Sequence, residues 1–352
     1  MCPAGRPSIQ QSDVTTGNQQ RPLRVALGQL RSVTNGSLQV GHNRVWLESS
    51  MQTDHPCIFP LIPLSTRMSF TLPGFDLAAF ITTTLSEDLG ISFPGGGRDV
   101  TSESVIPADA RFAGVMDSRE AITVAGLPLA AAFFRHLDPA CEIEMLVQDG
   151  QSVTPGIALM RIAGNARALL TAERSALNTV QHLSGIATMT SAYVEAMHGH
   201  ATLLDTRKTI PGLRVLEKYA TRMGGATNYR MGLWDAVLIK DNHVAVAGGV
   251  GPAVARAKTA GVERIICEVD RIDQIEPAIV AGATHILLDN MAPTMLAEAV
   301  ALVAGRAATE ASGGVRLDTI GAVAASGVDY VSVGRLMQSA PAADIGLDFE
   351  LV

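Results

Sequence analysis

This sequence predicts a C-terminal parallel α/β barrel preceded by an α+β N-terminal domain, and three observations carry that reading. Between residues 201 and 336, six short apolar runs each lead into, or present, a polar or glycine-rich cluster: ATLLDTRK, DAVLIKDNH, RIICEVD, HILLDN, TEASGGV and YVSVGRL. Segments with helical periodicity, such as PAVARAKTAG and TMLAEAVALV, alternate with them. From Arg111 to Arg161 the pattern differs, with short strands around one helix near LPLAAAFFRHL. Short apolar runs are strands buried on both faces, and strands joined by helices run parallel, so their C-terminal ends share one mouth. Core packing explains apolar strands; it does not explain why nearly every one stops in charge or glycine at the same end. The expected active site is therefore that mouth, lined by Asp205, Arg207, Lys208, Lys240, Asp241, Glu268, Asp270, Asp289, Ser312, Gly313 and Gly334.

Taken in order, residues 1–67 are rich in Gln, Ser, Thr, Asn and Pro without a sustained period, which predicts a disordered extension. Met68 opens the first convincing element and is the expected start of translation. FDLAAFITTTLSEDLG, from Phe75 to Gly90, has the pattern of an amphipathic helix with a glycine stop. GGGRDVTSESVIPADA follows as loop and turn, and VQDGQSVTPG and IALMRIAG as tightly turned strands. A long helix is expected from Ala166 to Met197, joining this region to the strand–helix repeats.

The chain has 352 residues, enough for two domains. Its four cysteines, Cys2, Cys57, Cys141 and Cys267, form no CxxC pair, so neither disulfides nor a cysteine-based zinc site is expected, in keeping with a reducing cytoplasm. No apolar stretch approaches the roughly twenty residues of a membrane span. A net charge of −7 argues against a broad nucleic-acid-binding surface. Positive charge is nonetheless dense in DTRKTIPGLRVLEKYATR and at Arg230 and Lys240. A basic pocket in an acidic protein suits a small polyanion. A solvated helix face accounts for Arg214, Lys218 and Arg222, but poorly for Lys240, which ends an apolar strand.

The ordered series ERSALNTVQHLSGIAT, LLDTRKTIPGLRVLEKYATRMGGATNYRMGLWDAVLIKDNH, CEVD, LLDN and EASGG closely resembles the quinolinate phosphoribosyltransferase family. With EDLG and RDVTSESVIPADA upstream and DIGLDF downstream, the resemblance covers Met68 to Val352. It implies an α+β domain over 68–179, a barrel over 180–337 and a segment, 338–352, that returns to the first domain. It also implies a reaction: quinolinate and phosphoribosyl pyrophosphate give nicotinate mononucleotide, pyrophosphate and carbon dioxide, with Mg2+. Arg207 and Arg230 are implied to hold the quinolinate carboxylates beside Lys240, and Lys208 to face phosphoribosyl pyrophosphate. Arg174 of a neighbouring subunit is implied to complete the pocket, making a homodimer the smallest active unit.

The residue types suit this chemistry. Arginine's planar fork matches a carboxylate, and lysine offers a point charge to phosphate. Glu268 and Asp289 suit charge developing on the ribose and a magnesium ion that takes few protein carboxylates and several waters. Ser312, Gly313, Gly314 and Gly334 can bring backbone N–H groups to a phosphate, and no Walker loop is present. Decarboxylation calls for no pyridoxal phosphate, flavin or thiamine, because the ribosylated ring nitrogen takes the electrons. Lys240 or Lys208 can protonate the resulting carbanion.

One position departs from the family: Asn-Tyr-Arg at 228–230 stands where Asn-His-Arg is usual. Tyr229 either contributes a hydroxyl to acceptor binding or fills space beside Arg230, and a neutral phenol cannot replace a cationic histidine. His182, His200 and His285 are expected to pack or bond locally, and His243 to orient neighbours. Asp205, Asp241 and Asn290 are expected to orient the cations beside them. Two other functions fit the same fold: a barrel aldolase using Lys240 as a Schiff-base nucleophile, and a scaffold with an altered acceptor or no turnover.

Overall fold

A computed structural model describes residues 70–349; the expected extension over 1–67 and the start at Met68 lie outside the described residues. The first domain contains α1 (Leu77–Asp88), α2 (Val100–Val105), β1 (Arg111–Ser118), β2 (Ile122–Thr123), α3 (Leu127–Leu137), β3 (Glu142–Met145), β4 (Ser152–Val153) and β5 (Ala158–Asn165). The helix α2 interrupts a stretch expected as loop. Asp99 starts it: Oδ1 accepts from the Thr101 and Ser102 backbone N–H groups, and Oδ2 accepts from the Ser102 and Thr171 hydroxyls.

α4 (Ala166–Ala196) runs for 31 residues, about 46 Å at helical rise. Asn165 caps it, its side-chain oxygen accepting from Ala168 N at 3.1 Å. The first half buries Leu169, Ala172, Ala176, Leu177 and Val180 against α3 and the antiparallel sheet; the second half buries Leu183, Ile186 and Ala187 against the helix that follows the first barrel strand. The expected boundary at 179/180 falls in the middle of this helix.

The barrel strands are β6 (Thr202–Leu204), β7 (Val237–Ile239), β8 (Ile265–Val269), β9 (His285–Asp289), β10 (Ala308–Ser312) and β11 (Tyr330–Ser332). They correspond to the six segments read from the sequence. Between them lie α5 (Arg214–Met223), α6 (Asp241–Ala247), α7 (Val250–Thr259), α8 (Ile275–Ala281), α9 (Pro293–Val303) and α10 (Ile320–Ala324). After β11 come α11 (Arg335–Gln338) and β12 (Ile345–Phe349). β12 pairs antiparallel with β1, so the four-stranded sheet of the first domain runs β12-β1-β5-β3.

All pairings among β6 to β11 are parallel, in the order β6-β11-β10-β9-β8-β7. Alternation along each strand sorts the side chains onto two faces. Leu203, Ile239, Cys267, Ile286, Leu288, Ala311 and Val331 pack outward with the helices. Leu204, Ile266 and Leu287 pack inward with Tyr229 and Ala236, joined by Leu238 and Tyr330. Residues from both terminal strands of the sheet share this inner cluster, so the sheet curls into a barrel. A single parallel bridge, Leu204 to Thr227, spans the gap between β6 and β7.

That closing segment, 226–230, is fixed from below by a buried carboxylate. Asp205 accepts from Tyr229 N at 2.8 Å, Asn228 Nδ2 at 2.7 Å and Thr221 Oγ1 at 3.1 Å, and pairs with Lys218. Lys218 is 1% exposed, which corrects its reading as part of a solvated helix face. Its pKa is lowered, by burial first, with Asp205 opposing the shift. Arg214 also turns inward, donating to Thr209 Oγ1 and the Met231 carbonyl. In physical terms α5 is amphipathic with a cation on its buried side, which a charge count along the chain cannot reveal.

Asp205→Ala strands the Lys218 charge and is expected to cost about 3–5 kcal/mol, read as a lowered urea midpoint. Asp99 has a lowered pKa, chiefly from the Ser102 hydroxyl, so its stabilisation is complete above the ordinary carboxyl value of 3.8 and is lost as pH falls through the depressed folded value. The stability gap between wild type and Asp99→Asn should therefore be present at pH 7 and shrink in acid.

Candidate active site

The inward face of each strand ends at the mouth. Glu268 on β8 is buried, and Lys240, which directly follows β7, reaches across to form an ion pair with it. The Lys240 backbone N–H donates to His243 Nδ1 at 2.9 Å, so His243 orients the turn that carries the lysine. Asp289 ends β9, level with Ser312 at the end of β10. Asn290 Nδ2 donates to Asp289 Oδ2 at 2.7 Å, and the Ser332 hydroxyl on β11 donates to Ser312 Oγ at 3.0 Å. Burial raises the Asp289 carboxyl pKa, with a further push from the Glu268 carboxylate and an opposing pull from Lys240. Two carboxylates facing one space favour a cation between them.

Gly313 and Gly314 follow with φ of 89° and 63°, a left-handed pair. A Cβ on Gly313 would stand 2.2 Å from Asn290 Oδ1, so the backbone there approaches the β9 end too closely for any side chain. The Lys208 side chain lies over Gly334, where a Cβ would meet its Cδ at 2.6 Å. The lysine after β6 thus crosses to the end of β11.

Arg207 and Arg230 face each other electrostatically. Burial, and then the Arg207 cation, push the Arg230 guanidinium below its ordinary range. Arg230 is buried and donates through Nη1 to the Ala236 carbonyl at 2.9 Å, while Arg207 Nε is buried with no hydrogen-bond partner among the described residues. Two neighbouring guanidiniums with unused donors form a receptor for a dicarboxylate.

Two expected site residues stand elsewhere. Tyr229 is 9% exposed, and its ring neighbours are Arg264, His285 and Tyr330, at or just before the N-terminal ends of their strands. Its side chain therefore points away from the mouth. Arg174 is on the exposed face of α4, in a cleft of about 450 Å³ with Glu87, Asp88, Asn178 and His182, and no described contact joins it to the mouth. The best-formed concavities in this chain lie at that cleft and beside Arg316 and Arg335, not at the strand ends. The strand ends remain the candidate because the convergent charges are there.

The histidines hold local contacts: His182 Nε2 is 3.0 Å from Glu217 Oε1, and His285 Nε2 is 2.9 Å from Glu310 Oε2. Asp205 orients Lys218 and the 228–229 backbone; no described bond links it to Arg207 or Lys208. Burial pushes the Cys267 thiol up to about 12, so it is not a nucleophile. Sequence reading missed Glu310 and Ser332, although period-2 alternation places Glu310 on the same face as Ser312 and Ser332 on the same face as Tyr330.

A curled parallel sheet with cations, carboxylates and a glycine pair at its C-terminal strand ends is the arrangement of a barrel enzyme for polyanionic substrates. The chain belongs to the quinolinate phosphoribosyltransferase family. Residues 99–184 match the model of that family's N-terminal domain and residues 186–348 that of its C-terminal domain. The decarboxylating quinolinate phosphoribosyltransferase 1b of Nicotiana tabacum is 40% identical over 298 residues, covering 79% of this chain and 83% of its own. A probable carboxylating nicotinate-nucleotide pyrophosphorylase of Synechocystis is 44% identical over 238 residues, covering 65% and 80%. The crystal structure of NadC from Streptococcus pyogenes matches with a TM-score of 0.74 at 36% identity, covering 80% of this chain and 100% of that one.

Gly313→Ala is expected to push Asn290 and Asp289 off the β9 end and to weaken inorganic phosphate binding at least several-fold, with a modest cost of about 1–3 kcal/mol in stability. Calorimetric titration with phosphate, alongside thermal unfolding, checks both.

Proposed function

We propose that this protein transfers the phosphoribosyl group of phosphoribosyl pyrophosphate to quinolinate, with decarboxylation, to give nicotinate mononucleotide for NAD synthesis. The observation that carries it is the convergence of Arg207, Lys208, Arg230 and Lys240 with Glu268 and Asp289 at one end of a barrel of this family. Relatives are named for this activity.

Arg207 and Arg230 hold the two quinolinate carboxylates and aim N1 at C1 of the ribose. Lys208, lying over Gly334, neutralises phosphate, and Ser312, Gly313 and Gly314 present polar groups to the phosphoryl oxygens. The N1 lone pair forms the bond to C1 as the C1–O bond to pyrophosphate breaks, and Glu268 and Asp289 stabilise the positive charge on the sugar. The C2–carboxylate bond of the cationic ring then breaks, carbon dioxide leaves, and the electron pair at C2 takes a proton from Lys240 or Lys208. Arginines that gripped the departing carboxylate too tightly would oppose this step, so its receptor must be weaker than an optimal fork.

Magnesium fits the donor set. Glu268 and Asp289 would hold it together with substrate oxygens, since this ion needs few protein carboxylates. Their mutual repulsion, seen in the raised Asp289 pKa, is what a cation relieves. When bound, the ion neutralises pyrophosphate. Among the described residues no larger cluster of His, Cys, Asp or Glu forms a metal cage.

The active unit is a homodimer in which Arg174 of one copy completes the mouth of the other; its exposure on α4, away from its own mouth, supports this. The compartment is the cytoplasm, on cysteine usage; among the described residues no helix is long and apolar enough to cross a membrane. Relatives named mitochondrial or chloroplastic make cell fractionation the deciding observation. The aldolase reading loses ground because Lys240 is ion-paired with Glu268 and does not sit in the apolar pocket of a Schiff-base lysine.

With quinolinate, phosphoribosyl pyrophosphate and magnesium, wild type should form nicotinate mononucleotide and carbon dioxide in equal amounts, and Lys208→Ala should lose at least a hundredfold in kcat/KM; absence of product from wild type sinks the reading. Mixing inactive Lys208→Ala with inactive Arg174→Ala and allowing exchange should restore roughly a quarter of wild-type activity, because each mixed dimer has one intact site. No recovery would contradict the shared site.

A further inference from the structure

Beneath the mouth lies a buried polar cluster that the transfer chemistry does not use. Glu310, in the middle of β10, is fully buried. His285 Nε2, also buried, is 2.9 Å from its Oε2. The Tyr229 hydroxyl faces the same carboxylate, whose charge raises the phenol pKa after the larger effect of burial. Among the described residues, the Tyr229 hydroxyl and both Glu310 oxygens make no regular hydrogen bond elsewhere, so these three groups have only one another. Arg264 lies 5.7 Å over the Tyr229 ring, and Tyr330 stacks on His285 at 5.5 Å.

Tyr229 directly precedes Arg230, in a segment held to the sheet by one bridge and by Asp205. No strand ladder fixes the Arg230 Cα. Arg207 and Arg230 repel each other while no anion lies between them, so whatever anchors residue 229 determines whether both guanidiniums stay on target. The Tyr229 backbone is anchored on both sides: its N–H donates to Asp205, and its carbonyl accepts from Lys218 Nζ at 3.3 Å. The phenol adds a third anchor on the opposite side, in the barrel floor.

We propose that Tyr229, Glu310 and His285 form a positioning cluster that sets Arg230 for the quinolinate carboxylate without touching substrate. Glu310 is the fixed acceptor on a central strand, His285 supplies the balancing donor, and Tyr229 carries the constraint along one residue of backbone to Arg230. The acceptor specificity of the mouth is thus held partly from the floor of the barrel. This inference rests on the transfer reading above.

The test compares wild type, Tyr229→Phe, Glu310→Gln and the double variant by steady-state kinetics for each substrate and by calorimetric titration of quinolinate. Each single change should raise the quinolinate KM and Kd about tenfold, the scale of a buried group left unpaired. The phosphoribosyl pyrophosphate KM and kcat should stay within about twofold, and the double variant should be no worse than either single. A purely structural role would lower the melting temperature and leave the quinolinate KM unmoved, or raise both KM values together; either result, or additive singles, overturns the proposal. Tyr229→Phe removes one oxygen and keeps the ring, so its quinolinate KM decides alone if Glu310→Gln does not fold. Wild-type turnover with unmoved variants removes only this inference. Wild type that neither turns over nor binds quinolinate removes the transfer reading and the inference with it.

Discussion

The buried Asp205 carboxylate is the constraint on which the rest of the site depends. It stands one residue beyond β6, takes the Lys218 ammonium from α5, and accepts from the side chain of Asn228 and the backbone of Tyr229. The sheet does not close between β6 and β7 by an ordinary ladder, so this one group joins the strand carrying Arg207 and Lys208 to the segment carrying Arg230. A buried charge pair is weak evidence for stability but a stringent constraint on geometry, because displacing either partner leaves an unpaired charge. Here the geometry it fixes is the spacing of two like-charged guanidiniums.

The same economy runs round the mouth. Each cation meets a local restraint before any ligand arrives: Lys240 the Glu268 carboxylate, Arg230 the Ala236 carbonyl, Lys208 the open backbone at Gly334. Each restraint leaves donors over. A site that repels itself when empty gains most from a polyanion, and one whose donors are already aimed loses little entropy on binding. The tension between Glu268 and Asp289 works in the opposite sense and suits a metal or a developing sugar cation.

Much of this was legible in the sequence. Apolar runs ending in DTRK, KDNH, EVD, LLDN and SGG located the strands and, through the parallel rule, put Arg207, Lys208, Lys240, Glu268, Asp289, Ser312 and Gly313 at one end before any coordinates. Three things resisted. Lys218 looked like surface because its partner, Asp205, is thirteen positions away on another element. Tyr229 adjoins Arg230 in sequence, yet the chain turns its ring to the opposite end of the barrel; direction between strands is not a local property. The helix α2 is only six residues, too short for periodicity, and rests on the Asp99 cap.

The central claim is that the acceptor sits between Arg207 and Arg230 at the C-terminal strand ends. A crystal structure with quinolinate bound tests it most directly. The account predicts density for the pyridine ring at the mouth, its carboxylates on those two guanidiniums and its nitrogen facing Asp289 and Lys208. Density in the cleft beside Arg316 and Arg335, or at the mouth with the carboxylates away from both arginines, would contradict it.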